Sequence, residues 1–321
     1  MPSQRQKDNS GYQLKGGHFV RLFDSLFVLR PTLIFPYWTM ILAGSTLAVD
    51  RSSAGLFRWL LIVIGCSSIF GLVYLLNQIR DKTTDRINRK LFLVFDGIIS
   101  RRHQFVEIFV LMAIAIVSMA WLAEWRPGLW IGIGTLLLIG FFYSYTRFAF
   151  KQHPWGGLLA HVVSGWILVR MGVIIYNGEV SIWQEVPYVI AYSASFLLTN
   201  LPDIEGDRQA DKRTFSVVYG ELATLVVSIL MIATSLTLGL IFRDPVITIA
   251  SGLSLPVLIV ALVRKNMQQT VSANKIAIFS LSMAVGFYFP VYILTMILYY
   301  PLARWYYKQR FGISYPNFKS K

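Results

Sequence analysis

The chain of 321 residues has a formal net charge of +14, yet only 14% of its residues are charged and 55% are hydrophobic. Soluble domains carry roughly 25% charged residues, so this composition excludes an ordinary soluble protein and indicates a membrane protein with several spans. The only cysteine, Cys66, lies within an apolar run, which excludes a disulfide framework and a cysteine metal site. In a membrane protein, basic loops facing an anionic leaflet explain the positive charge. We therefore expect membrane lipid, and no nucleic acid, as a partner.

Nine apolar segments follow one another along the chain, each long enough to cross a bilayer as a helix. They are 31–49, 56–77, 104–124, 128–147, 157–176, 184–201, 216–242, 246–263 and 276–300. None shows the alternation typical of a membrane-spanning strand, so the predicted fold is all-α. We expect a cytoplasmic N-terminal segment at 1–30, one transmembrane domain at 31–300 and a basic C-terminal tail at 301–321.

The basic residues predict the orientation. If residue 1 is cytoplasmic, the inner segments before the tail hold 20 Lys and Arg, and the outer loops hold only Arg51, Arg58, Arg126 and Arg243. This asymmetry predicts a multi-pass protein of the cell (inner) membrane whose polar site faces the cytoplasm. The tail disagrees, because nine spans would leave its basic residues outside. Either the tail escapes the rule or one segment is miscounted.

A polar stretch, 77–90, follows the second segment directly. In it Asn77, Asp81 and Asp85 are four residues apart, so they stack on one face of a helix as it leaves the membrane. Two carboxylates held together there repel each other, which suggests a cation between them. The residues that follow, up to Arg102, mix charged and apolar side chains. They fit either an interfacial amphipathic helix or a solvated loop.

A second acidic stretch follows the sixth segment. Asn200, Asp203, Asp207 and Asp211 again recur at helical spacing, and the alternation of spans places them on the same side as the first stretch. Two such faces would surround one polar cavity. Carboxylates at this density favour Mg²⁺, which takes one or two carboxylates per ion and shares its other positions with phosphate oxygens. The sequence contains no GxxxxGK[ST] loop to bind a nucleotide. A site at the membrane with aromatic residues around it indicates a lipid diphosphate instead.

The two acidic motifs resemble those of the UbiA superfamily of intramembrane prenyltransferases. The family motif NxxxDxxxD is matched by Asn77, Asp81 and Asp85, and its second motif by Asp203, Asp207 and Asp211. The segments PDIEGD and KRTFSVVYG, with Tyr143-Ser144 and Lys151-Gln152, look most like the homogentisate and chlorophyll-type branches. The sequence departs from the family at Phe92, which stands where an Arg is common.

The resemblance implies a nine-helix bundle around a cavity that is open to lipid. It implies that two Mg²⁺ ions, held by Asp81, Asp85, Asp203 and Asp207, bridge to an isoprenyl diphosphate. Ionisation would leave a carbocation, which an aromatic or quinone-precursor acceptor attacks, with Lys151 stabilising the leaving group. The substrate-binding residues expected from it are Asn77, Asn200, Asp211, Lys212 and Tyr143.

Aromatic residues precede both motifs at helical spacing. Phe70 and Tyr74 share a face with Asn77, while Tyr192 and Phe196 share one with Asn200. These rings would either line the prenyl channel or serve as plain packing. Within the fifth segment, Arg170 would either anchor an anionic acceptor or pair inside the bundle. His161 is interpreted as a packing residue rather than a base.

Two other functions share these features. A terpene cyclase would ionise the same diphosphate and quench the cation internally or with water. A divalent-cation transporter would use the same acidic faces, but its pathway needs polar groups through the midplane of the membrane.

Overall fold

The computed structural model describes residues 17–48, 56–82, 93–94, 98–123, 126–145, 149–176 and 178–316. Ten long helices account for most of these residues. They are α1 (Pro31–Leu47), α2 (Leu56–Arg80), α3 (Arg101–Ala123), α4 (Pro127–Ser144), α5 (Pro154–Ile175), α6 (Ile182–Thr199), α7 (Phe215–Ile241), α8 (Pro245–Arg264), α9 (Met267–Tyr288) and α10 (Pro290–Phe311). Short helices lie at His18–Arg21, Asp24–Val28 and Ile204–Gln209, and single 3-10 turns at Phe150–Gln152 and Leu201–Asp203.

The prediction of an all-α membrane protein is confirmed. Seven of the long helices, α2 to α5 and α7 to α9, are long and apolar enough to cross a membrane by length and composition. The bent pair Phe19–Val28 and α1 would make an eighth span. The first eight predicted segments coincide with α1 to α8 to within a few residues. Five helices, including α1, α5 and α10, begin with proline, whose missing N–H costs nothing in the first turn.

The ninth predicted segment is wrong. Instead of one span at 276–300, the chain forms α9 and then α10, and it turns at Phe289, whose backbone is non-helical. Pro290 favours the break, because it has no N–H to bond within a helix and its ring disfavours helical backbone at Phe289. Helix α10 runs through Pro301 to Phe311, so residue 301 lies inside a helix. The predicted interfacial helix before Arg102 falls mostly outside the described residues.

The helices pack so that one end of the bundle collects the polar residues. Helix α1 lies against α2, α5, α6 and α9, while α6 packs between α5 and α7. Helices α2, α4 and α6 end on the side where α5 and α7 begin. The loops that carry Lys151 and Asp207 are therefore at the same end as Asn77.

Glycines permit the close approach of α1 and α5. A Cβ on Gly44 would clash with the carbonyl oxygen of Val169, and a Cβ on Gly172 would clash with that of Ile41. In a membrane, where lipid tails are as apolar as leucine, helices associate through such contacts between small residues. This contact fixes the distance between two walls of the bundle.

We expect Gly172→Ala to destabilise the fold by about 1–3 kcal/mol, the usual cost of overpacking. The two backbones would have to move apart, because the obstacle is a carbonyl group rather than a flexible side chain. The measurement is the thermal midpoint of the purified protein in detergent. Gly134→Ala on α4 is the matched control, since a Cβ there meets nothing within 4 Å. Equal midpoints for the two variants would contradict the proposed contact.

Candidate active site

Both acidic motifs contribute to one pocket at the polar end of the bundle. Helix α2 places Asn77 and Asp81 there, and the end of α6 with the short helix after it places Asn200, Asp203 and Asp207. The remaining lining residues come from the ends of α4 and α6, from the starts of α5 and α7 and from the loops that precede these two helices: Tyr143, Lys151, His153, Pro154, Gly157, Phe196, Lys212, Thr214 and Phe215. The structure thus brings residues of both predicted motifs together in one pocket.

Lys151 is the hub of the first half of the pocket. Its Nζ donates to both carboxylate oxygens of Asp81 at 2.6 Å and to Asn77 Oδ1 at 3.2 Å. Ser144 Oγ also donates to Asn77 Oδ1, at 2.8 Å. Lys151 is only 8% exposed, so its ammonium and the Asp81 carboxylate attract each other with little screening by water. The 3-10 turn Phe150–Gln152 carries this lysine into the pocket.

Lys212 connects the two motifs. Its Nζ lies 3.6 Å from Asp207 Oδ1 and 4.0 Å from Asp81 Oδ2. The backbone N–H of Lys212 donates to the carbonyl oxygen of Asp207 at 2.9 Å, which holds the loop against the short helix. A single ammonium group therefore lies between carboxylates that are far apart in the sequence. The negative charges of Asp81 and Asp207 therefore favour a positive charge at the position that lies between them.

The donor set of the pocket fits Mg²⁺. Asp81, Asp203 and Asp207 supply carboxylate oxygens, and Asn77 and Asn200 supply amide oxygens, which are the hard ligands that this ion prefers. Among the described residues, no three His, Cys, Asp or Glu converge closely enough to hold a metal ion alone. Thr214 Oγ1 is buried with no hydrogen-bond partner in the described part of the chain, so it can donate to a ligand oxygen.

Aromatic rings lie directly beneath the polar pocket. His161 stacks on Phe196 with ring centroids 3.4 Å apart, and it contacts Tyr143 and Tyr192 at 5.7 and 6.1 Å. A Cβ on Gly165 would lie 2.7 Å from the Tyr192 ring, so this glycine makes room for it. We call this group, together with Tyr37, Phe70 and Tyr74, the aromatic floor.

Tyr37 joins the remaining rings of the aromatic floor. It stacks on Phe70 at 3.7 Å, its hydroxyl group hydrogen-bonds that of Tyr74 at 2.8 Å, and its ring is 6.3 Å from Tyr192. The four aromatic residues predicted from the sequence are thus in one continuous group. Tyr37 was missed because it is distant from both motifs in the sequence. The hydrophobic run around it gives no signal of a site.

Of the predicted site residues that the structure describes, four are not among those that line the pocket: Tyr74, Tyr192, Arg170 and Asp211. Arg170 Nη2 pairs with Glu185 at 2.7 Å, and its Nη1 donates to the Val180 carbonyl oxygen, so it is paired within the bundle. Asp211 is exposed in the turn after the short helix, with a left-handed backbone. Asp85 lies outside the described residues. His161 Nδ1 lies 2.9 Å from the Gly157 carbonyl oxygen, as expected of a packing residue.

Several solved structures are similar to this chain in fold. A UbiA homologue from Archaeoglobus fulgidus bound to GPP and Mg²⁺ is 18% identical, with a TM-score of 0.65, over 82% of this chain and 98% of that chain. The apo UbiA homologue from Aeropyrum pernix K1 is 18% identical, with a TM-score of 0.64, over 81% and 98%. A digeranylgeranylglyceryl phosphate synthase structure is 14% identical, with a TM-score of 0.59, over 83% and 98%. At these identities the likeness shows the fold.

The sequence itself shows the family. A comparison with curated proteins finds no significant match. The model of the UbiA prenyltransferase family, however, matches residues 36–285, which is most of the chain and includes both acidic motifs. The chain therefore belongs to the UbiA prenyltransferase family, as an enzyme with several transmembrane helices.

Proposed function

We propose that this enzyme transfers an isoprenyl group from an isoprenyl diphosphate to an aromatic or quinone-precursor acceptor, with Mg²⁺ as its cofactor. The observation that carries the proposal is the position of Lys212 between Asp81 and Asp207, directly above the aromatic floor. A charged pocket over apolar rings fits a molecule with an anionic head and an apolar tail. The solved homologue bound to GPP and Mg²⁺ is consistent with such a ligand.

Different residues of the pocket would bind different parts of the donor and its metal ion. Asp81, Asp203 and Asp207, with Asp85 as a further candidate, would hold Mg²⁺. When bound, Mg²⁺ supplies positive charge that lowers the energy of a diphosphate leaving group. Lys151 and Lys212 add two ammonium groups for diphosphate oxygens, and Asn77, Asn200 and Thr214 add neutral polar groups.

The aromatic floor serves the prenyl chain. When the allylic C–O bond breaks, its electron pair leaves with the diphosphate and positive charge develops on the prenyl carbon. Ring faces carry negative electrostatic potential, so Tyr143 and Phe196 at the edge of the pocket would stabilise that charge and exclude water. The acceptor then forms a bond to the same carbon and loses a proton.

The sequence supports the side of the membrane on which the pocket lies and the chemical class of the acceptor. The asymmetry of Lys and Arg supports a pocket on the cytoplasmic face of the cell membrane. The segments PDIEGD and KRTFSVVYG favour an acceptor of the homogentisate or chlorophyll type. A transporter is disfavoured because the aromatic floor lies where an ion pathway would continue toward the midplane.

The test of this function is product analysis. Membranes containing the protein are incubated with Mg²⁺ and a series of isoprenyl diphosphates, with and without a panel of phenolic and quinone-precursor acceptors. We expect pyrophosphate release coupled to a prenylated acceptor. Release with only a hydrocarbon or terpene alcohol, and no need for an acceptor, would show a cyclase. Mg²⁺ uptake into proteoliposomes without diphosphate cleavage would show a transporter.

Asp81→Ala and Asp207→Ala are each expected to lower the rate of pyrophosphate release by at least about 10²-fold, since each removes a carboxylate that faces the shared cation position. Both proteins should still insert and fold. Glu205→Ala is the matched control, because this residue is on the same short helix but its side chain is 70% exposed. A near-normal rate in either aspartate variant would contradict a site made of both motifs.

Lys151→Met is expected to reduce the rate about 10²–10³-fold, the usual cost of removing one preorganised donor to a developing anion. The same change leaves the Asp81 carboxylate with one ammonium group fewer, so the Mg²⁺ concentration for half-maximal rate should not rise. Initial rates over a Mg²⁺ titration measure both effects. Lys265→Met, an exposed lysine outside the pocket, makes the same change of side chain and should behave as wild type.

A further inference from the structure

The short helix Asp24–Val28 and helix α10 meet at the end of the bundle where α2 ends. Arg310 forms two hydrogen bonds with the carboxylate of Asp24, at 2.9 and 3.1 Å, and the Tyr306 hydroxyl donates to the same carboxylate at 2.7 Å. The ring of Phe27 stacks on that of Tyr306 with centroids 3.9 Å apart and planes 4° from parallel. We call these residues, Asp24, Phe27, Tyr306 and Arg310, the terminal clasp.

The buried ion pair of the clasp is better suited to fixing a position than to adding stability. The side chains of Arg310 and Asp24 are only 6% and 12% exposed, so both charges have lost most of their water. In such pairs the attraction roughly offsets the cost of desolvation, whereas a change of register leaves a charge unpaired. The bidentate geometry therefore fixes α10 against the short helix Asp24–Val28 in one register.

The clasp is connected to the first acidic motif by Gln78. This side chain is 3% exposed, and its Nε2 donates at 2.7 Å to the carbonyl oxygen of Val28, the residue after Phe27. Gln78 follows Asn77 directly, so a rotation of about 100° along the helix separates the side chain that faces the pocket from the one that faces the clasp. The end of α2 thus has one anchor on each side.

Residues that follow the first acidic motif in the sequence pack against the terminal clasp. Leu93, Val94 and Ile99 are buried to 2–3% exposure and belong to one apolar cluster with Phe27 and Tyr306. The chain is therefore fixed to the clasp both before and after the stretch that contains Asp85. Both halves of the clasp lie outside residues 36–285, the part that matches the family.

From these contacts we infer that the terminal clasp holds the first acidic motif in register with Lys151 and the second motif. Asp24, Tyr306, Arg310 and Gln78 are positioning residues, since none of them is among the residues that line the pocket. Loosening the clasp should raise the Mg²⁺ concentration for half-maximal rate more than it lowers the maximal rate. Only this consequence rests on the proposed function.

The test compares Tyr306→Phe, which keeps the stacked ring but loses the hydrogen bond, with Gln78→Leu and with the double variant. The first measurement is amide hydrogen exchange of residues 77–82 in the full-length protein, with and without Mg²⁺ and inorganic pyrophosphate. We expect exchange about three- to tenfold faster in each single variant, the effect of one lost hydrogen bond. The double variant should fall short of the product of the two, because both act through one connection.

Thr295→Val is the matched control. It removes a hydrogen bond to Trp59 from the same helix, α10, about 15 Å or more from Tyr306 along the helix axis. It should leave exchange at 77–82 unchanged. Unchanged exchange in a folded Tyr306→Phe protein, or multiplying effects in the double variant, would overturn the inference.

The second measurement is the Mg²⁺ dependence of pyrophosphate release. In Tyr306→Phe we expect the Mg²⁺ concentration for half-maximal rate to rise by a larger factor than the maximal rate falls. An equal fall in rate at all Mg²⁺ concentrations would contradict this.

Different results would refute the proposed function and the role of the clasp. A wild-type protein that cleaves no isoprenyl diphosphate refutes the proposed function, while hydrogen exchange still decides the role of the clasp.

Discussion

Carboxylates gathered at the edge of a membrane need positive charge among them, and this constraint governs the polar end of the molecule. Asp81, Asp203 and Asp207 meet in one pocket, where Lys151 and Lys212 supply the charge. Without the two lysines, the carboxylates would face one another with no opposite charge between them, which is unfavourable where water screens charges poorly. The same charge balance is consistent with the proposed ligand, an isoprenyl diphosphate with Mg²⁺.

Helix direction determines which residues reach that pocket. Each motif is at the end of an even-numbered helix, and the lysines lie in the loops that precede α5 and α7. Because every second helix ends on the same side, residues separated by more than a hundred positions come within a few ångströms. The close contact of Gly44 and Gly172 then keeps α1 against α5, so that Tyr37 from one and His161 from the other join the aromatic floor.

The sequence predicts well the position of residues that recur at helical spacing. It predicts poorly the position of single residues in turns or within a span. Spacing of four places Asn77 with Asp81, and helix alternation places Asp203 and Asp207 beside them, because both rules depend only on local geometry. The position of Asp211 follows from a turn that ends the short helix, which spacing alone does not reveal. Arg170 illustrates the other limit. Its polarity inside a span indicates a partner but not which one, and Glu185 lies fifteen residues away in the sequence, across the next loop.

Proline shows why the number of helices was the hardest feature to predict. Pro36, Pro187, Pro256 and Pro301 all lie inside helices, where neighbouring helices in a membrane tolerate the lost hydrogen bond, while Pro290 starts a new helix. What distinguishes Pro290 is that α10 gains partners by turning back, since Tyr292 hydrogen-bonds Thr39 and Tyr306 hydrogen-bonds Asp24. The turn also accounts for the basic tail. Arg310 lies beside Asp24, on the side where α2 ends, so this basic residue is at the same end of the bundle as the acidic pocket. The sequence predicted the opposite side for it because α9 and α10 were counted as one segment.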